Sequence, residues 1–321
     1  MTTISDNLQQ RGLKLSHLRM LAALAETGQI GAAADRIGIA QPAASRLLAE
    51  VERIINGPVH ERTGRGIRLT PVGEALARRA QRVQMELRDA ARELAEVAGG
   101  ASGHVRIGAV TGPALERVLP MLRAARMSHP GVTVEVTVSP SDLLCEQLLA
   151  GRLDFAIARL PDNPDRALMD FRAIAGEPVQ LMTRRGHPLQ FKPDLAAQDL
   201  LAFDWVMPGP DSILGRTVLA RLRALGLPQP PQRLSTSSFL LTLALLQQSN
   251  AIAPLASAVA DTFAKGTDAP YQMLKLDLGI EVEPYGLITG RGMSLTPAAQ
   301  RMADMILPPI PTEPLLLTQK V

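Results

Sequence analysis

A chain of 321 residues and 34.4 kDa, 46% hydrophobic and 20% charged, can bury a sizeable core and has room for two or three domains, which excludes disorder throughout. Its one cysteine, Cys145, excludes an intramolecular disulfide and a cysteine-built zinc finger. The formal charge of +3 lies wholly in the first part: residues 1–98 hold 14 Lys and Arg against 11 Asp and Glu, and residues 99–321 hold 20 against 20. Residues 1–16 lack the apolar core of a secretory signal, so a cytoplasmic location is expected. The long uncharged stretch 234–260 is broken by Ser235, Gln247, Asn250 and Pro254, and it reads as a buried helix around 239–246 rather than a membrane span.

Ser16 can cap a first helix in which Leu18, Leu21, Ala22 and Ala25 recur at helical spacing, with Gly28 as its stop. A second short helix is predicted from about Gly31 to Ile37, ending at Gly38. Pro42 fits the first turn of a third helix, whose apolar set is Ala43, Leu47, Leu48, Val51, Ile54 and Ile55. Two short helices joined by a glycine-containing turn form a helix-turn-helix pattern. Gly64-Arg65-Gly66, between Val59 and Ile67 to Leu69, then predicts a small hairpin, or wing. Residues 62–82 carry Arg62, Arg65, Arg68, Arg78, Arg79 and Arg82 against Glu74 alone, a patch of the kind phosphate contacts require, although charge by itself fits a solvated face equally well.

From Pro71 the spacing predicts a long helix with Leu76, Ala80, Val83, Leu87, Ala90, Leu94 and Val97 at alternating intervals of four and three. So narrow a strip fits a coiled-coil partner and a homodimer joined through Leu76, Val83, Leu87 and Leu94; packing on its own chain is the alternative. Gly99, Gly100 and Gly103 break the helix and mark a hinge. Strand-like stretches at 105–110, 132–138, 155–158, 179–183 and 205–207 then alternate with helical ones at 115–128, 142–150, 215–225 and 240–248, an α/β pattern that ends in a proline-rich tail at 308–314. Leu144, Leu148 and Leu149 around Cys145 predict a packed thiol.

Residues 31–45, followed by Glu52, Arg62, Leu69-Thr70 and Gly73, resemble the DNA-binding domain of LysR-type transcriptional regulators; Gln41-Pro42-Ala43-Ala44-Ser45 is the most specific part. The resemblance continues in Gly151-Arg152-Leu153-Asp154-Phe155-Ala156-Ile157 and Gly186-His187-Pro188-Leu189, and so covers nearly the whole chain. It implies a winged helix-turn-helix domain at 1–69, a linker and dimerisation helix at 70–98, and an α/β two-lobed effector domain of type 2 periplasmic-binding-protein architecture at 99–321. Lobe I would comprise 104–175 and 281–321, and lobe II 176–279. Implied partners are double-stranded DNA with an interrupted palindromic operator, a small-molecule effector, RNA polymerase, and further copies of the chain up to a homotetramer. Ala40, Gln29, Gly31 and Val59-His60 depart from the family pattern, which touches individual phosphate contacts but leaves the basic wing and helix face.

A recognition helix presents its N-terminal side chains to base edges, so Gln41, Ser45 and Arg46 are the expected readers and Pro42 a thymine-methyl contact. Arg62, Arg65, Arg68 and the Thr70 hydroxyl are expected on phosphates. By the same resemblance Thr111, Gly112 and Ser141 would line one cleft wall, Pro208, Gly209, Ser237 and Ser238 the other, with Arg159 at the crossover; their hydroxyl-rich turns at helix starts suit an anion, while plain N-capping accounts for the same residues. The stretches 208–212 and 235–239 resemble the subgroup that regulates sugar uptake or aromatic-acid breakdown, so an anionic or sugar-like effector is expected. The sequence carries no Gly-x-Ser-x-Gly elbow, His-Glu-x-x-His pair or Walker loop, and its five histidines stand singly, so no enzyme, cofactor or metal is expected. A solute-binding or stand-alone small-molecule-binding protein with no role on DNA is the competing class, sharing the two-lobed fold.

Overall fold

The computed structural model describes residues 8–64, 66–99, 102–209, 212–230, 232–266 and 268–307; Arg65 and the proline-rich tail lie outside them. Three helices open the chain, α1 (Leu15–Thr27), α2 (Ile30–Ile37) and α3 (Gln41–Ile55). A two-stranded antiparallel wing follows, β1 (His60–Thr63) and β2 (Gly66–Leu69), and leads into α4 (Pro71–Gly99). Met20, Leu21, Leu24, Ala33, Ala34, Ala44, Leu48, Val51 and Val59 form one core that Ala80 of α4 completes. Gly28 and Gly38 end α1 and α2 with φ of 65° and 74°, the left-handed conformation that glycine reaches without steric cost. Ser16 is not the cap expected of it. The first helix starts at Leu15, and its N-terminus is closed by the buried His17, whose Nδ1 accepts the Lys14 N–H at 3.0 Å while Nε2 lies 2.9 Å from Glu50 of α3.

The long helix divides its apolar residues between two tasks. Leu76 and Ala80 pack into the N-terminal domain, so Leu76 is committed to its own chain, whereas Val83, Leu87 and Leu94 are 40%, 50% and 71% exposed. A second face docks on the following domain. Met85 is buried there, and the Glu96 carboxylate accepts the Ala298 N–H at 2.9 Å.

The second part begins with β3 (Gly103–Ala109), a short turn α5 (Thr111–Pro113), α6 (Leu119–Ser128), β4 (Val132–Val138), α7 (Ser141–Leu149) and β5 (Phe155–Ala158). The predicted helix at 115–128 thus starts earlier, and residues 114–118 between α5 and α6 form wide π turns. Pro120 supplies the reason, since it has no N–H for the carbonyl four residues back and its ring crowds that carbonyl. The chain then crosses lobes along β6 (Met169–Arg184), of which the predicted strand at 179–183 is only the far end. Lobe II contains β7 (Trp205–Met207), α8 (Ile213–Ala224), β8 (Gln232–Ser235), α9 (Phe239–Gln248), β9 (Ala253–Ala256), α10 (Ser257–Phe263) and β10 (Tyr271–Met273). A long return strand, β11 (Ile280–Gly290), and α11 (Pro297–Ile306) complete lobe I.

One mixed sheet unites the lobes in the order β10-β6-β11-β5-β3-β4, with β9 paired to β6, while β7 and β8 form a separate parallel pair. β3 pairs in parallel with β4 and β5, and β11 runs antiparallel between β5 and β6. Lobe I packs α6 and α11 on one face of the sheet around Val105, Ile107, Phe155 and Met302, and α7 on the other around Leu144, Cys145 and Ile288. Lobe II closes around Leu181, Trp205, Val218 and Ile252. No helix among the described residues is long and apolar enough to cross a membrane.

Candidate nucleic-acid interface and interlobe cleft

Helix α3 buries Ala44, Leu48, Val51 and Ile54 at helical spacing, which turns Gln41, Pro42, Ser45 and Arg46 outward together, and all four are exposed. Ala40 precedes the helix without a side-chain cap, and its carbonyl accepts the Ala43 and Ala44 N–H groups at 2.9 and 3.1 Å, while Pro42 has no N–H to leave open. On the wing Arg62 and Arg68 are exposed; Arg68 donates to Glu61 at 3.3 Å, and no partner is found for Arg62 among the described residues. Thr70 differs from expectation. It is buried, its hydroxyl donates to the Pro58 carbonyl at 2.8 Å and accepts the Gly73 N–H at 3.1 Å, and nothing remains for a phosphate.

The two lobes meet where β5 ends and β6 and β11 cross over. Arg159, directly after β5, is 5% exposed; its Nη2 is paired with the Glu177 carboxylate on β6, and its Nε donates to the Glu283 carbonyl on β11 at 2.6 Å. Ser141 was expected at a helix start facing a ligand, but it is buried and its hydroxyl accepts the Arg159 N–H at 3.2 Å. Gly112 closes the same corner, so tightly that a Cβ there would lie 2.0 Å from Glu177 Oε1. Thr111 opens α5 without capping it, because Val110 is the cap residue. Leu115 reaches across to the lobe II cluster around Leu243 and Val259.

Pro208, Gly209, Ser237 and Ser238 form a separate group at the ends of β7 and β8. Pro208 accepts a bond from the Ser235 hydroxyl at 3.3 Å, Gly209 accepts the Ser212 hydroxyl at 2.6 Å, and Ser238 caps α9 by accepting the Leu241 N–H at 3.3 Å. Ser237 is exposed. Glu177 and Glu283 were not foreseen as cleft residues: they meet Arg159 from 18 and 124 positions away, a convergence that no local spacing announces.

Cys145 sits under this corner, and its thiol is pushed up to about 12 by burial first and by Asp142 and Glu146 second. It should resist a disulfide-exchange reagent in the native protein and react fully after unfolding. Stoichiometric labelling of the native chain would contradict the packed, protonated thiol.

A family model described as bacterial regulatory helix-turn-helix protein, lysR family, matches residues 15–74, and one described as LysR substrate binding domain matches 98–308. The chain is 44% identical to the HTH-type transcriptional regulator GbpR of Rhizobium radiobacter over 79% of its own length and 85% of the relative's. Among solved structures, ArgP from Mycobacterium tuberculosis shares the fold with a TM-score of 0.67 at 18% identity, covering 92% of this chain and 96% of that one. Full-length CbnR complexed with its target DNA aligns with a TM-score of 0.51 at 23% identity, covering 92% and 98%.

Proposed function

The chain belongs to the LysR family of DNA-binding transcriptional regulators, which are not enzymes, and from that premise we propose that α3 and the wing hold its operator while the interlobe cleft takes a small-molecule effector. The observation that carries this reading is the outward set Gln41, Pro42, Ser45 and Arg46 on a helix whose opposite face is fully buried. Gln41 addresses adenine and Arg46 guanine with paired hydrogen bonds, Ser45 adds a polar contact, and Pro42 touches a thymine methyl group. Arg62, Arg65 and Arg68 hold phosphates and fix the register.

The domain borders proposed are 1–69, 70–98 and 99–321, with lobe I at 104–175 and 281–321 and lobe II at 176–279. Val83, Leu87 and Leu94 pair with a second copy, and a tetramer of two such dimers places the recognition helices on an interrupted palindrome. An effector held among Thr111, Gly112, Pro208, Gly209, Ser237 and Ser238 acts through its differential affinity for two lobe arrangements, which bend the DNA differently and alter access of RNA polymerase in the cytoplasm.

The test is binding to the chain's own upstream DNA, with scrambled DNA as competitor, across a salt series. Arg46→Ala should weaken the operator complex by roughly 1 to 3 kcal/mol and leave scrambled DNA little changed. Arg62→Ala should weaken both and reduce the salt slope by about 1. Equal losses on both DNAs for Arg46→Ala would remove it from the readers.

A further inference from the structure

The corner of the cleft that was expected to receive an anion already contains one. Glu177 enters from β6, its carboxylate is paired with Arg159, and its other oxygen is pressed against Gly112. The side chains of Arg159 and Glu177 are 6% and 13% exposed, so the pair is shielded from water on nearly every side. On the same guanidinium, Nε donates to the Glu283 carbonyl at 2.6 Å. Arg117, on the neighbouring π turns, is engaged with Glu116 at 3.1 Å and with the Tyr285 hydroxyl at 3.3 Å.

Resting on the reading of the cleft as the effector site, we propose that Glu177 is the resident anion of the cleft: it holds the place on Arg159 that an acidic effector would take, so the effector is uncharged and hydroxyl-bearing and carboxylates are turned away. An entering acid would set two carboxylates against one guanidinium and force Glu177 into a buried position with no countercharge, which proteins tolerate poorly. A hydroxyl group makes no such demand. It accepts from a guanidinium and donates to a carboxylate, so it can bind beside the pair and leave its charge balance intact. Because Arg159 also grips β11 while Glu177 belongs to β6, keeping the pair intact keeps both crossover strands in register as the lobes close.

The experiment is chemical rescue in the full-length protein. Glu177→Ala should melt below the wild type and regain at least about 2 °C in sodium acetate relative to sodium chloride of equal ionic strength, as an added anion fills the opened place. The wild type should show no acetate-specific rise, and benzoate and galacturonate should repeat the pattern. Adding Arg159→Leu should abolish the regain. An acetate, benzoate or galacturonate effect on the wild type that disappears with Arg159→Leu would overturn the proposal, and so would a Glu177→Ala protein indifferent to all three acids. If Glu177→Ala does not fold, Glu177→Gln carries the same comparison, since it keeps the shape and removes the charge. Operator binding on the same samples separates the two readings: a wild type that ignores its operator strikes the regulator reading and leaves the acid-rescue result to be judged by itself.

Discussion

Replacing Asp154 by Ala should cost about 3–5 kcal/mol of stability and release the long helix α4 from lobe I. The side chain is 4% exposed and serves two arginines at once. Its oxygens accept the Arg106 N–H at 2.7 Å, Arg106 Nη2 at 2.8 Å, and Arg92 Nη2 and Nη1 at 2.7 and 3.2 Å. Arg106 lies in β3 and Arg92 in α4, so one carboxylate joins the helix that leads from the DNA-binding domain to the sheet of the effector domain. Burial pulls the Asp154 pKa upward, but the bonds from Arg92 and Arg106 outweigh it and hold the carboxyl below its ordinary value. Its contribution is therefore complete above the unfolded-state value near 3.9 and is lost as pH falls through the lower folded value. Urea unfolding measures the first effect, and the distance between spin labels placed on α4 and on lobe I measures the second. Asp154→Asn should fall between wild type and Ala, and a loss below about 1 kcal/mol for Ala would mean that the arginines are adequately solvated without it.

Gly73→Ala should unfold the DNA-binding domain and leave the effector domain standing. An alanine inside a helix usually adds about 0.4–1 kcal/mol by restricting the unfolded chain. Here the new Cβ would lie 1.9 Å from the Val59 carbonyl oxygen and 2.9 Å from its carbon, and these are backbone atoms that cannot swing aside. The junction cannot shift cheaply either, because the Thr70 N–H bonds the Val59 carbonyl at 3.0 Å and the Thr70 hydroxyl holds the Pro58 carbonyl. A loss above about 4 kcal/mol is expected, in the range of the most damaging single substitutions. Trp205, buried in lobe II and the sole tryptophan of the chain, reports the effector domain alone, so its fluorescence transition should stay in place while helical circular dichroism and operator binding fall. An unchanged operator affinity would show that β2 and α4 can separate at little cost.

The elements that the sequence announced are those held by local chemistry. Gly28, Gly38 and Pro42 punctuate three short helices, and the buried set of α3 repeats at helical spacing, so the exposed face with Arg46 follows from counting. The strip along α4 was legible as a period but not as a division of labour: Leu76 turns into its own domain, and Met85, outside the strip, became the buried residue against Gly151. Hydroxyl groups misled for a related reason. Thr70 and Ser141 look like free hydroxyls in a line of letters, yet Thr70 donates to the Pro58 carbonyl and Ser141 accepts the Arg159 N–H, backbone groups that only the folded chain brings near. The partners of Arg159 are more remote still, since a side chain just after β5 meets Glu177 on β6 and the Glu283 carbonyl on β11 only through the register of β6 against β11, which bulges between Val282 and Gly286. Pro120 could have warned of the wide turns before α6, because a proline inside a helical run removes the bond to the carbonyl four residues back and crowds it.

The place of β11 in the sheet sets a timetable for the ribosome. Strand β11 lies between β5 and β6, so lobe I cannot close its sheet until residues 280–290 have been made, long after β5 at 155–158. At 5–20 residues per second the nascent lobe waits on the order of ten seconds with one edge of β5 unpaired and the apolar faces of Phe155 and Ile157 uncovered by α11. Lobe II, continuous between the two crossings, can gather its core around Trp205 during that interval. The DNA-binding domain, whose core Ala80 completes, folds earliest of all, while the effector half is still being synthesised.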